Sequence, residues 1–124
     1  MGARILIVED DEALRVLTES VVQDAGYSTL TAGSVDEALA LLTADSSIDL
    51  VFTDLNLADR EDGGVIVARR ARDVLPSVPV VYTSGAGVTD GTRALFVAGA
   101  AFLPKPYQNS ELTNILSQAL NQDR

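Results

Sequence analysis

The sequence predicts an α/β domain, a parallel sheet with helices packed on both of its faces. Two observations carry the prediction. Five short apolar, strand-like runs alternate with helix-like segments along the chain, the pattern of repeated βα units. The chain can also bury such a sheet: 47% of its 124 residues are hydrophobic, and that length supports one sizeable core.

The first strand is expected at Arg4–Val8, where the branched aliphatics Ile5 to Val8 read as buried on both faces. Helix one follows Asp11, with Leu14, Leu17 and Val21 on one stripe and Gly26 ending it. The second strand is placed at 28–31. Helix two opens on the run from Ser34 to Glu37, whose outer residues fit a capping box, and continues with Ala38, Leu39, Leu41 and Leu42. Strand three is expected at 50–53 and helix three at about 65–74, its Arg-rich run 69–72 on a solvated face. Strand four is placed at 78–83, helix four at about 89–97 and strand five at 101–103. Strands two and five rest on the alternation alone. Helix five has the cleanest amphipathic pattern, with Leu112, Ile115, Leu116 and Ala119, and the last four residues are expected to fray.

Right-handed crossovers at this size favour a flavodoxin-like, doubly wound (βα)5 sandwich with a five-stranded parallel sheet of order 2-1-3-4-5. Residues 1–124 are expected to form a single domain. In that order the chain reverses direction between strands one and three, and ligands bind at the carboxyl ends of the strands beside that switch point.

Composition excludes several kinds of function. The sequence contains no cysteine and no histidine. Disulfides, thiolate metal sites, cysteine nucleophiles and the commonest general base are therefore absent. Nine basic against eighteen acidic residues give a formal charge of −9, which disfavours nucleic acid and anionic membrane surfaces as partners. No apolar run approaches the roughly 20 residues of a spanning helix, and no signal-peptide core is visible at the start. A soluble cytoplasmic domain is the expectation.

Polar residues gather where the strands end. Strand one delivers Glu9, Asp10 and Asp11; strand three delivers Asp54; strand four delivers Thr83, Ser84 and Gly85; strand five delivers Lys105 between two prolines. Taken singly, each has a plainer explanation. Asp11 and Glu12 suit a helix N-terminus, Asp54 and Ser84 suit turns, Lys105 suits a surface, and Phe102 suits a core. Their joint placement at the strand tips outweighs these readings. Carboxylates converging from two strands repel one another unless a cation sits among them. The available ligands are all hard oxygens, which select Mg²⁺, Mn²⁺ or Ca²⁺. Mg²⁺ takes one or two carboxylates and completes its shell with water and phosphate oxygens. With no Ser–His or Cys–His pair available, the covalent nucleophile suited to phosphate is a carboxylate, giving an aspartyl phosphate. Asp54 is the natural choice, alone on the central strand and facing both the acid pair and the lysine.

These motifs resemble the receiver domain of two-component response regulators. The stretch from Ile5 to Glu12 is similar to the family's first strand and acidic pair, and Val51–Leu57 to its phosphoacceptor strand. Residues 78–85 are similar to its switch-hydroxyl strand, and 102–107 to its lysine–proline signature. The resemblance covers nearly the whole chain. It implies that Asp54 takes a phosphoryl group from the phosphohistidine of a sensor histidine kinase or histidine phosphotransfer protein. It implies Mg²⁺ (or Mn²⁺) held by Asp10, Asp54 and the backbone carbonyl of Asn56, with Glu9 acting through water. Lys105 would pair with the phosphoryl oxygens, Ser84 would hydrogen-bond to them, and Phe102 would occupy the aromatic switch position. The peptide bond before Pro106 would be cis. The readout face would comprise helix four, strand five and helix five, met by a downstream protein, with the chain a monomer or weak dimer. Such a domain is a signalling phosphoacceptor, with slow self-phosphorylation and autodephosphorylation, rather than an enzyme.

Two departures from the family's commonest pattern stand out. Ala58 occupies a position where proline is frequent, and the segment before Gly63 and Gly64 is one residue longer than usual. The absence of an output domain after helix five favours a stand-alone regulator, with a receiver from a hybrid histidine kinase as the alternative. A flavin-binding carrier would want a Ser/Thr/Gly-rich phosphate loop where the carboxylates of strand one stand. An Asp-nucleophile phosphohydrolase would want a second acid where Asn56 stands.

Overall fold

The computed structural model describes residues 2–57 and 60–121. Five strands, β1 (Arg4–Val8), β2 (Ser28–Ala32), β3 (Leu50–Asp54), β4 (Val80–Ser84) and β5 (Ala101–Pro104), form one sheet in the order β2-β1-β3-β4-β5. Every neighbouring pair is parallel. Helices α1 (Glu12–Asp24), α2 (Val35–Ala44), α3 (Gly63–Val74), α4 (Asp90–Arg93) and α5 (Asn109–Asn121) alternate with them. The flavodoxin-like order expected from the sequence is the order found.

Alternation along each strand splits the core in two. Leu6, Val8, Val51, Val80 and Tyr82 face α2 and α3, meeting Ala38, Leu42, Val65, Ala68 and Ala71. Ile5, Ile7, Leu50, Phe52 and Val81 face α1 and α5, meeting Val22, Leu112 and Leu116. All five residues of β3 are buried, as a central strand covered on both faces requires.

Helix ends follow the local chemistry. Asp11 caps α1 by accepting the Leu14 amide at 3.1 Å, and Gly26, at φ 100°, carries the chain out beyond Ala25. Ser34 caps α2 by accepting the Glu37 amide at 3.1 Å. The other half of the expected capping box is displaced by one residue: Glu37 reaches back to the amide of Gly33, at 2.6 Å.

Three expectations need correction. In α1 the buried residues are Thr18 and Val22, while Leu17 is 58% exposed. Thr18 can face inward because its hydroxyl bonds to that of Tyr107 at 3.1 Å, so a polar residue occupies the stripe assigned to Leu17. Strand four begins at Val80, two residues late, because Val78 is drawn into a turn with its amide on the Leu75 carbonyl. Helix four begins where expected, capped by Thr89, but ends at Arg93 rather than Val97. Beyond it the Leu95 and Phe96 amides bond only three residues back, to Thr92 and Arg93, the tightening that closes a helix. The Phe96 ring then packs 4.2 Å from that of Tyr82, whose hydroxyl accepts the Val97 amide at 3.2 Å. Tertiary contacts to β4 thus take the place of a further helical turn.

Candidate functional site

Because all strands run the same way, their carboxyl ends meet at one edge of the sheet. Main-chain bonds set the spacing of the tip residues. The Glu9 amide bonds to Ala32 at 3.0 Å, that of Leu55 to Thr83 at 2.8 Å, and that of Lys105 to Ser84 at 3.0 Å. These place Glu9, Asp54, Ser84 and Lys105 side by side in order across the sheet.

The Lys105 ammonium donates to Asp54 at 2.8 Å and to Glu9 at 2.9 Å. Both carboxylates are buried, at 6% and 5% exposure, whereas Asp10 faces solvent. One carboxylate oxygen each from Glu9, Asp10 and Asp54 fall within 4.8 Å of one another. Three carboxylates against one ammonium leave two negative charges, the charge of one divalent cation. The donors are all oxygen, so the set suits Mg²⁺.

Electrostatics reflect this crowding. Burial pushes the Glu9 carboxyl above its ordinary value, although the Lys105 ammonium and the Asp11 amide pull it down. Burial pulls the Lys105 ammonium down, but the hydrogen bonds it donates to Asp54 and Glu9 outweigh it and hold the group above its ordinary value. Lys105 is therefore a full cation throughout the physiological range.

The β3–α3 connection is held closely. Leu57 and Arg60 exchange main-chain bonds at 3.1 and 2.7 Å. Ala58, noted above for replacing a frequent proline, lies outside the described residues. Asn56 is exposed, and its side-chain oxygen accepts the Asp62 amide at 3.3 Å. Asp62 is at φ 59°, a left-handed conformation that Asp tolerates better than most. Gly64 then brings α3 directly against the tip of β3, its amide on the Leu55 carbonyl at 2.8 Å.

Ser84 is 3% exposed, and its hydroxyl accepts the Ala86 amide at 3.1 Å. Phe102 is half-buried in an aromatic row, its ring 6.3 Å from that of Phe96. The Arg93 guanidinium sits 5.6 and 5.8 Å from the Phe96 and Phe102 ring centres. The Lys105–Pro106 bond is cis.

Sequence reasoning missed several groups at this edge. Tyr107 packs edge-on against Phe52 and fixes Thr18. Arg15 donates to the main-chain carbonyl of Glu9 at 2.9 Å. Thr83, already placed at this edge by the sequence, has a buried hydroxyl with no hydrogen-bond partner among the described residues. A charged residue early in a helix beside the acid pair was visible for Arg15, but its target is a backbone atom that no side-chain motif records.

The profile of the response regulator receiver domain matches residues 5–117. A response regulator receiver protein from Sinorhizobium medicae WSM419 superposes with a TM-score of 0.90 at 32% identity, over 99% of this chain and 98% of that one. The receiver domain of the hybrid histidine kinase CckA superposes at 0.79 and 31% identity, over 95% of this chain and 99% of that one. In sequence, the nitrogen assimilation regulatory protein NtrX of Azorhizobium caulinodans is 34% identical over 97% of this chain, which corresponds to 26% of that protein. The chain thus spans about a quarter of the length of that curated relative. No helix among the described residues is long and apolar enough to cross a membrane. With the strand order, the acidic cluster and the paired lysine in place, the chain belongs to the response regulator receiver domain family.

Proposed function

We propose that Asp54 accepts a phosphoryl group from the phosphohistidine of a sensor histidine kinase or histidine phosphotransfer protein, and that phosphorylation changes the α4–β5–α5 face for a downstream protein. The observation that carries the reading is a buried Asp54 carboxylate, 2.8 Å from Lys105 and clustered with Glu9 and Asp10. Members of this family are signalling phosphoacceptors that bind Mg²⁺ at an acidic pocket and work with histidine kinases and downstream effectors.

An Asp54 carboxylate oxygen attacks phosphorus in line with the phosphorus–nitrogen bond of the donor. The oxygen–phosphorus bond forms as the phosphorus–nitrogen bond breaks, and the departing imidazole keeps the electron pair and takes a proton from solvent. Lys105 gives up part of its bond with Asp54 to meet the arriving phosphoryl oxygens. Asp10, Asp54 and the Asn56 carbonyl would hold Mg²⁺, with Glu9 acting through water. When bound, the ion neutralises charge on the transferred group. Val16 and Leu17, each 58% exposed on the helix that follows the acid pair, offer an apolar contact to the donor protein.

The Ser84 hydroxyl accepts the Ala86 amide and keeps its own hydrogen to donate to a phosphoryl oxygen. A shift of Ser84 towards that oxygen would couple the β4 tip to the aromatic row of Phe96 and Phe102, so the two phosphorylation states differ in contacts rather than in charge alone. A stand-alone regulator is the arrangement we favour, by likeness to the S. medicae receiver protein, and the CckA receiver is covered as fully. A hybrid-kinase receiver is the alternative, and the length of the native reading frame decides between them.

Incubation with a small-molecule phosphodonor and Mg²⁺, read by intact mass, tests the proposal. A hydroxylamine-labile adduct, absent from Asp54→Ala and from samples with EDTA, is the expected result. An adduct that persists in either case would overturn it.

A further inference from the structure

The acid pair hangs from a single peptide unit, that between Glu9 and Asp10, and the structure shows both ends of its first residue tied down. The Glu9 amide is bonded to Ala32 at the tip of β2. The Glu9 carbonyl accepts a guanidinium hydrogen of Arg15 at 2.9 Å. Arg15 is half-buried on the first turn of α1, its own amide on the Asp11 carbonyl at 2.8 Å, so the loop and the helix that clamps it form one closed unit.

A peptide unit is planar, so fixing its carbonyl fixes the direction of the following amide and the position of the next Cα. Here that Cα belongs to Asp10, the exposed member of the acid pair. From this geometry we infer that Arg15 is a positioning residue for Asp10. It sets where that carboxylate leaves the backbone, and thereby the site's affinity for a divalent cation.

A second observation supports the assignment. The guanidinium lies against the bare Cα of Gly33, where a Cβ would stand 2.9 Å from the Arg15 terminal nitrogen and 3.4 Å from the Glu37 carboxylate. Glu37 in turn holds the Gly33 amide at 2.6 Å. The β2–α2 turn is thus shaped to leave room for the Arg15 head group beside the acid pair.

The inference rests on the proposed cation site, and the experiment separates the two. Mg²⁺ affinity is measured by calorimetry on unphosphorylated wild type, Asp10→Asn, Arg15→Met, Arg15→Lys and Gly33→Ala, with urea unfolding of each metal-free protein alongside. Arg15→Met is expected to weaken Mg²⁺ binding about tenfold, the low end of the losses seen when a group supporting a metal ligand is removed. Arg15→Lys should recover part of it. Gly33→Ala should weaken binding in the same direction without removing a charge, by pushing the guanidinium off the carbonyl. Combining Gly33→Ala with Arg15→Met should add nothing further.

Unchanged affinity in Arg15→Met and Gly33→Ala, with lowered stability, would overturn the inference and make Arg15 a packing residue. Tighter binding in Arg15→Met would also overturn it, since removal of a nearby positive charge would then dominate. If wild type fails to bind Mg²⁺, or Asp10→Asn binds as well as wild type, the cation site itself is wrong and the inference falls with it.

Discussion

Gly64 is where α3 touches the phosphoacceptor strand, and replacing it with alanine is the sharpest test of how this edge is built. A Cβ there would stand 2.2 Å from the Asp54 carbonyl oxygen, 2.9 Å from the Leu55 Cα and 3.0 Å from the Asp54 carbonyl carbon. Carbon and oxygen settle no closer than about 3.3 Å, so α3 and β3 must separate by about 1 Å. Both sides of the contact are main chain, and no side chain can swing away. Overpacking of this kind costs about 1–3 kcal/mol, here near the upper end. Alanine recovers about 1 kcal/mol of helix propensity relative to glycine. The clash therefore wins, and the net loss is about 2 kcal/mol. Urea unfolding of the metal-free domain should show a midpoint lowered by roughly 1 M. Phosphorylation should slow as well, by up to about 100-fold for a displacement of this size. Gly63→Ala is the internal comparison. Its Cβ would meet Val35 Cγ2 at 3.0 Å and the Cβ atoms of Leu57 and Arg60 at 3.2 and 3.4 Å, contacts relieved by shifts of a few tenths of an ångström, so it should cost about 1 kcal/mol or less. A Gly64→Ala protein as stable as wild type, or a more damaging Gly63→Ala, would refute the reasoning.

Lys105→Ala removes the partner of two buried carboxylates, and should cost the metal-free domain about 3 kcal/mol while leaving it folded and poorly phosphorylated. Added Mg²⁺ should restore much of that stability, and a variant indifferent to Mg²⁺ would argue for a purely structural lysine. Glu9→Gln should stabilise the metal-free domain at neutral pH, because burial raises the Glu9 carboxyl above 4.5. A raised carboxyl contributes stability that is fully present below the unfolded value and lost as pH rises through the folded one. The advantage of glutamine should thus vanish in acid, and a pH-independent difference in urea unfolding would count against it. Tyr82→Phe leaves the Val97 amide without its acceptor and should cost about 1 kcal/mol. Hydrogen exchange would show it as faster exchange at Val97, and undiminished protection there would exclude the proposed anchoring of the segment beyond α4.

Much of the sheet was legible because its signals are local. Ile5 to Val8 announce a doubly covered strand, and strict alternation supplies the neighbours of even the weak β2 and β5. The tip residues Glu9, Asp10, Asp54, Ser84 and Lys105 followed from knowing where strands end. What stayed hidden depends on contacts between segments far apart in sequence. Thr18 is buried with its hydroxyl on Tyr107, so Leu17, drawn on one stripe with Leu14 and Val21, points at solvent while Val21 packs on the core. Helix α4 stops at Arg93 because Tyr82, on another element, captures the Phe96 ring and the Val97 amide. Arg15 binds a carbonyl, and carbonyls leave no mark in the amino-acid pattern. Gly64 could be seen as a glycine, but its closeness to Asp54 is a property of packing.

The main-chain bonds that join Glu9 to Ala32, Leu55 to Thr83 and Lys105 to Ser84 have a consequence for how this domain tolerates change. The spacing of Asp54 and Lys105 is written in ladder register, while the loops beyond the tips place Asp10 and Asn56. A change of length in the β3–α3 or β4–α4 connection therefore leaves Asp54 and Lys105 at the same separation and acts on the cation ligands instead. A slip of one residue in β3 does the opposite: it sends Asp54 to the other face of the sheet and Thr53 into its place. The Asp54–Lys105 pair is therefore tolerant of length changes in the loops and intolerant of a single deletion inside the strands that carry it.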